Sequence, residues 1–159
     1  MSEKALYILA GYDDKTEEWL SGIQKKLYGL GFSGVQTKGI PMHFTLGSYD
    51  TTQEKELKER LHRISDTHKA FSVEFSHVGL FRQPVNDVLF IAPEVSREML
   101  ILKDEFMDSK DIYRWSPHTT MLIDTPDVIR NAAGIVLDEL YSSSGLAVPE
   151  KMVTTLHLY

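Results

Sequence analysis

His43-Phe44-Thr45-Leu46 and His118-Thr119-Thr120-Met121 decide how this chain is read. Each tetrapeptide sets an imidazole and a hydroxyl two positions apart, and on an extended strand positions i and i+2 leave the same face. His43 with Thr45, and His118 with Thr120, therefore form two polar faces able to do chemistry. Phe44 with Leu46, and Thr119 with Met121, point the other way. Both tetrapeptides closely follow a proline, Pro41 and Pro117, and both precede a helix-like segment that opens with a threonine, Thr51 and Thr125. They lie about half of the 159 residues apart. That arrangement predicts two half-sites facing each other across a pseudo-symmetric cleft.

The length suits one compact domain over 1–159 with a substantial core. Hydrophobic content of 42% with 25% charged residues is ordinary for a globular protein. A formal net charge of −6 argues against duplex DNA as a partner, because such binding is driven by Lys and Arg neutralising phosphates. The chain contains no cysteine, which removes disulfides, thiolate nucleophiles and Cys-based metal sites from consideration. The apolar run that ends at Ala10 is short for a signal sequence, and no stretch approaches a membrane span. The expectation is a cytoplasmic monomer without membrane contact.

Read in order, Ala5 to Ala10 is a buried strand ended by Gly11. Asp14 with Glu17 marks a helix start, and Trp19, Leu20, Ile23, Leu27 and Leu30 give that helix an apolar face closed by Gly29 and Gly31. Gly34 to Gly39 leads into a strand from Met42 to Tyr49. Thr51 with Glu54 opens a second helix carrying Leu57, Leu61 and Ile64. From Ala70 the period becomes two, with Phe71, Val73, Phe75 and His77 on one face of a strand that forms a hairpin with Val88 to Ala92. A helix capped by Ser96 follows. Ser116 to Ile123 is the second motif strand, Thr125-Pro126 opens another helix, Ser142 to Gly145 is a loop, and Met152 to Tyr159 is a final strand. The order predicts an α+β fold of two pseudo-symmetric lobes, mainly antiparallel sheet with flanking helices and a central cleft.

Paired His-x-Thr motifs, one per half, resemble the signature of the 2H phosphoesterase superfamily, which includes RNA 2′,5′-ligase-like proteins and 2′,3′-cyclic phosphodiesterases. The opening strand, Gly79-Leu80-Phe81 at the end of the long middle strand, Val88 to Ala92 and Val153 to Tyr159 also fall where that family has similar pieces. The resemblance implies that His43 and His118 are catalytic and that Thr45 and Thr120 bind one phosphate. It further implies a ring at Phe81 near the cleft, able to stack on a nucleobase; a core role for Phe81 is equally open.

These residue types suit phosphodiester chemistry on their own terms. Opening a cyclic diester needs a base to deprotonate water and an acid to protonate the departing sugar oxygen, and imidazole can serve as either near neutral pH. Threonine hydroxyls can donate to the non-bridging oxygens. The scheme asks for no metal and no cofactor. The expected activity is hydrolysis of a 2′,3′-cyclic or 2′,5′-linked phosphodiester on a small nucleotide or RNA end, with the two histidines in unassigned order. Ligation by the reverse reaction, or a module that binds an RNA end without turnover, are the alternatives.

The remaining signals are weaker. His62 and His68 read as solvated, His77 as a core histidine, and His157 as a strand residue without special role. Tyr12, Tyr113 and Trp115 are further stacking candidates, and Lys38, Arg82 and Arg114 could add positive charge at a rim. No histidine pair has metal-ligand spacing, no serine sits in a Gly-flanked elbow, and no Gly-rich phosphate loop is present.

Overall fold

The computed structural model describes residues 4–32, 40–110, 115–140 and 150–159. Lys38, Tyr113, Arg114, the segment from Gly34 to Gly39 and the expected loop from Ser142 to Gly145 lie outside them. The elements are β1 (Ala5–Tyr12), α1 (Asp14–Gly29), β2 (His43–Asp50), α2 (Glu54–Thr67), β3 (Phe71–Val73), β4 (Phe75–Phe81), β5 (Asp87–Pro93), α3 (Arg97–Asp104), β6 (Thr119–Asp124), α4 (Pro126–Leu140) and β7 (Lys151–Leu158). They build an α+β fold with two sheets, β2-β1-β7-β3 and β4-β5-β6, in which every pairing is antiparallel. In each sheet a buried strand, β1 or β5, lies beside the motif strand, β2 or β6. The two motif strands are sheet edges, and they touch each other. No described helix is long and apolar enough to cross a membrane.

Both halves contribute to one hydrophobic cluster. It contains Ile8 and Ala10 of β1, Phe44 and Leu46 of β2, Leu89 and Ile91 of β5, Met121 and Leu122 of β6, and the inner faces of α1, α3 and α4. An aromatic seam runs through its centre, with Tyr12 lying 6.1 Å from Phe44 and 5.6 Å from Phe75, and Phe75 lying 5.6 Å from Trp19. Such tilted and edge-on pairs add to simple burial.

The helix starts differ slightly from the sequence reading. Asp13 caps α1, accepting from the Thr16 amide at 3.3 Å. Glu17 is thereby left for another task described below. At α2 a 3₁₀ turn over Thr51–Gln53 comes first, with Gln53 Oε1 accepting from the Asp50 amide. Ser96 caps α3 through the Met99 amide, and Pro126 is the first residue of α4, as its fixed φ favours.

The long middle strand is a correction. It is two strands, β3 and β4, parted at Glu74 and belonging to different sheets, with β3 paired to β7 and β4 to β5. A register shift between Phe75 and His77 then reverses the alternation. His77 is consequently exposed, not a core histidine.

Candidate active site

The two motifs are built alike. His43 opens β2 and His118 stands immediately before β6. Nδ1 of His43 lies 2.7 Å from the carbonyl of Pro41, and Nδ1 of His118 lies 2.8 Å from the carbonyl of Ser116, two residues upstream in each case. A carbonyl can only accept, so each Nδ1 carries the proton, and each neutral ring presents its lone pair at Nε2, on the side away from the backbone. A shared backbone contact thus fixes the same tautomer in both halves.

The strands also slip at the same motif position. Ile8 pairs with Gly47 and Leu9 with Thr45, so the register passes over Leu46; Leu89 pairs with Leu122 and Phe90 with Thr120, so it passes over Met121. Each slip follows the motif threonine directly and lets two nearby residues share the core side: Leu46 with Tyr49, Met121 with Leu122, all nearly inaccessible. Strict alternation along β2 would have put Tyr49 on the face of His43.

Each slipped carbonyl is satisfied from the opposite half. Lys103 of α3 donates from Nζ to the Leu46 carbonyl at 2.6 Å, and Gln24 of α1 donates from Nε2 to the Met121 carbonyl at 3.0 Å; both bonds are buried. Trp115 Nε1 donates to the Thr45 carbonyl at 2.8 Å, and the hydroxyls of Tyr12 and Thr119 meet at 2.7 Å. Both carboxylate oxygens of Glu17 accept from the Met42 amide, at 3.0 and 2.9 Å, and so anchor the residue before His43 to α1. Buried polar groups require such partners. The sequence offered a signal for two of these contacts, since Gln24 and Lys103 are polar residues at helical spacing from Leu20 and Met99.

The register places His43 and Thr45 on one face of the first sheet, with Gly11 and Leu9 of β1 beside them, and Thr155 and His157 of β7 beyond. His157, a strand residue of β7 as expected, is part of this face. Thr120 shares the corresponding face of the second sheet with Phe90 and Gly79. A Cβ on Gly79 would lie 2.6 Å from the Phe90 ring, so glycine there lets the ring lie flat on β4. Phe81 stands edge-on to His118 at 4.6 Å and 4.5 Å from Phe90, forming an aromatic wall beside that imidazole. Its ring is therefore part-buried and next to the site.

Burial holds the His43 imidazole below the ordinary histidine range; the Pro41 carbonyl opposes this, while the charges of His118 and His157 lower it further. His43 is thus within electrostatic reach of both His118 and His157. Other candidates have different places. Tyr12 is buried, its phenol pushed up by desolvation and engaged with Thr119, so it offers no face for stacking. The Trp115 indole is occupied by Thr45 and packs 6.4 Å from Phe44. His68 pairs with Glu105 at 3.2 Å and, together with His62, lines a cavity of about 670 Å³ between α2, α3 and β7, away from the paired motifs. Arg82 is exposed. Among the described residues no group of three or more His, Asp or Glu side chains could hold a metal ion.

Residues 14–140 match the sequence profile of the 2′-5′ RNA ligase superfamily. By sequence, no curated protein matches the chain. Among solved structures, Escherichia coli LigT in apo form superposes with a TM-score of 0.54 at 19% identity, covering 78% of this chain and 74% of that one. LigT complexed with phosphate gives 0.53 at 20% identity, with the same coverage. Kluyveromyces marxianus Usb1 with uridine monophosphate gives 0.52 at 13% identity, covering 98% of this chain and 92% of that one. At these identities the likeness is one of fold.

Proposed function

Because this chain belongs to the 2′-5′ RNA ligase superfamily, the 2H phosphoesterases, we propose that it is a phosphodiesterase that hydrolyses a 2′,3′-cyclic or 2′,5′-linked phosphodiester of a nucleotide or RNA end. The observation that carries this reading is the duplicated imidazole geometry: two histidines, each with Nδ1 committed to the carbonyl two residues upstream and Nε2 left for chemistry. The phosphate bound to LigT and the uridine monophosphate bound to Usb1 favour the same class of ligand.

His43 is the better general base, because burial keeps its imidazole neutral to lower pH. Its Nε2 lone pair takes a proton from water as the water oxygen bonds to phosphorus. His118, entering as imidazolium, gives its proton to the departing sugar oxygen as that P–O bond breaks, and a phosphomonoester and a free hydroxyl result. Thr45 and Thr120 donate to the non-bridging oxygens, where negative charge accumulates in the transition state. Phe81, beside His118, offers a ring for the base of the substrate. The chemistry supplied by these side chains involves no metal.

The test is hydrolysis, in chelator, of a panel of 2′,3′-cyclic nucleotides and 2′,5′-linked dinucleotides by the native chain, His43→Ala and His118→Ala. Each substitution should reduce turnover by about 10²–10⁴-fold. Folded protein that binds members of the panel and turns over none of them would replace this reading with that of an RNA-end recognition module.

A further inference from the structure

Across β1, the motif pair His43 and Thr45 has a counterpart. Gly11 pairs with His43 on one side and Thr155 on the other, and Leu9 pairs with Thr45 on one side and His157 on the other. An imidazole and a hydroxyl two positions apart thus recur on β7, on the same face and in the reverse order.

His157 reaches toward the motif because β1 carries no side chain at position 11. A Cβ there would lie 2.9 Å from Nε2 of His157 and 3.2 Å from its Cδ2, so the ring lies across Gly11, one strand spacing of about 4.8 Å from β2. Its charge is felt at His43. The strand that holds it is fixed just beyond, where the amides and carbonyls of Tyr7 and Tyr159 exchange bonds of 2.6 and 2.9 Å, and the Tyr159 ring stands edge-on at 6.1 Å.

The ring also differs from those of His43 and His118 in what it can do. No backbone carbonyl among the described residues holds its Nδ1, so nothing there selects the tautomer with a lone pair at Nε2. A neutral His43 offers an acceptor toward the cleft, whereas His157 can present an N–H in either protonation state.

We infer that His157 is a third phosphate-facing imidazole of this cleft, lying over Gly11 and donating from Nε2 to an oxygen of the phosphate that His43 and Thr45 engage. The inference deepens the phosphodiesterase reading and rests on it for the identity of the ligand, but phosphate binding can be measured without turnover.

His157→Ala should raise KM for 2′,3′-cyclic nucleotides by about tenfold, the scale of one hydrogen bond to a charged oxygen, and leave kcat within about threefold. His157→Gln, which retains a donor, should recover most of the loss. Titration of the native chain with inorganic phosphate, followed by the imidazole Hε1 resonances, should move His157 together with His43, and phosphate affinity should fall about tenfold in His157→Ala. A His157 resonance that stays still while His43 moves overturns the inference, as does His157→Ala with unchanged KM and phosphate affinity. Failure of Gln to recover what Ala loses assigns His157 to structure instead. If the native chain turns over nothing on the panel yet phosphate moves both resonances, the hydrolase reading fails and the third imidazole stands.

Discussion

Lys103→Met tests the idea that each half holds the other half's motif strand in place. The substitution keeps an unbranched apolar stem and removes the ammonium that donates to the Leu46 carbonyl at 2.6 Å, in a side chain only 4% exposed. A hydrogen bond from a charged donor contributes about 1.5–3 kcal/mol, much of it the cost of leaving the acceptor buried and unpaired. The Leu46 carbonyl sits where the register slips, so no neighbouring strand residue stands opposite to replace the donor. The ammonium also lies 5.3 Å from the centre of the Trp115 ring, worth about 0.5–1 kcal/mol. Removing a buried charge works the other way by relieving its desolvation, and that term can reach several kcal/mol where a hydrophobic side chain fills the space well. With the acceptor left behind, the donor loss dominates, and a net destabilisation of about 1–3 kcal/mol is expected. For a chain of this size that lowers Tm by roughly 3–10 °C. Urea and thermal denaturation followed by circular dichroism measure it, with Gln24→Leu as the counterpart in the other half. A Lys103→Met chain as stable as the native one, or more so, would refute the argument.

Three other outcomes follow from the same geometry. Because His43 is held neutral below the ordinary histidine range, the acid limb of kcat/KM should fall below about pH 6.5; the stability linked to this group is present above that unfolded-state value and is lost as pH drops through the lowered native one, which urea midpoints across pH 4–8 will show. Phe81→Ala should raise KM about 5- to 50-fold for substrates that carry a base, the worth of one stacked ring, with little change for a cyclic phosphate on a bare sugar. Arg60→Met removes ion pairs of 2.8 Å to Glu56 and 2.8 Å to Asp108 from a side chain 13% exposed, and should cost about 1–2 kcal/mol since both partners are half in solvent. Arg60 holds the Asp108 carboxyl down at about 2, so the difference between variant and native chain should persist above the usual carboxylate range and shrink as pH falls toward 2, read from Tm at each pH.

The features legible in the sequence were those set by local rules. Amphipathic helices, the cap at Ser96, the proline that opens α4 and the face shared by His43 and Thr45 all depend on spacing of a few residues, and the structure contains them. What the sequence concealed depends on which strands become neighbours. Phe71 to His77 alternate without interruption in composition, yet the chain changes sheets at Glu74, because a period of two says nothing about the pairing partner. Register slips at Leu46 and Met121 are likewise invisible in apolar stretches, where either face accepts the same residue types. The place of His157 beside the motif was hidden for the same reason: it follows from β7 pairing with β1. Gln24 and Lys103 stand at helical spacing from Leu20 and Met99, but only the packed structure supplies their acceptors.

The exchange of donors between the two halves bears on how the protein comes apart. Lys103 and Trp115 from the second half hold carbonyls in β2, Gln24 from the first half holds one in β6, and Tyr12 and Thr119 join the two in a buried contact. Neither lobe can loosen alone without stranding a buried carbonyl in the other, so loss of one removes part of what supports its neighbour. Two lobes bound in this way should melt as a single cooperative unit, with signals from aromatic residues on the two sides coinciding in one transition.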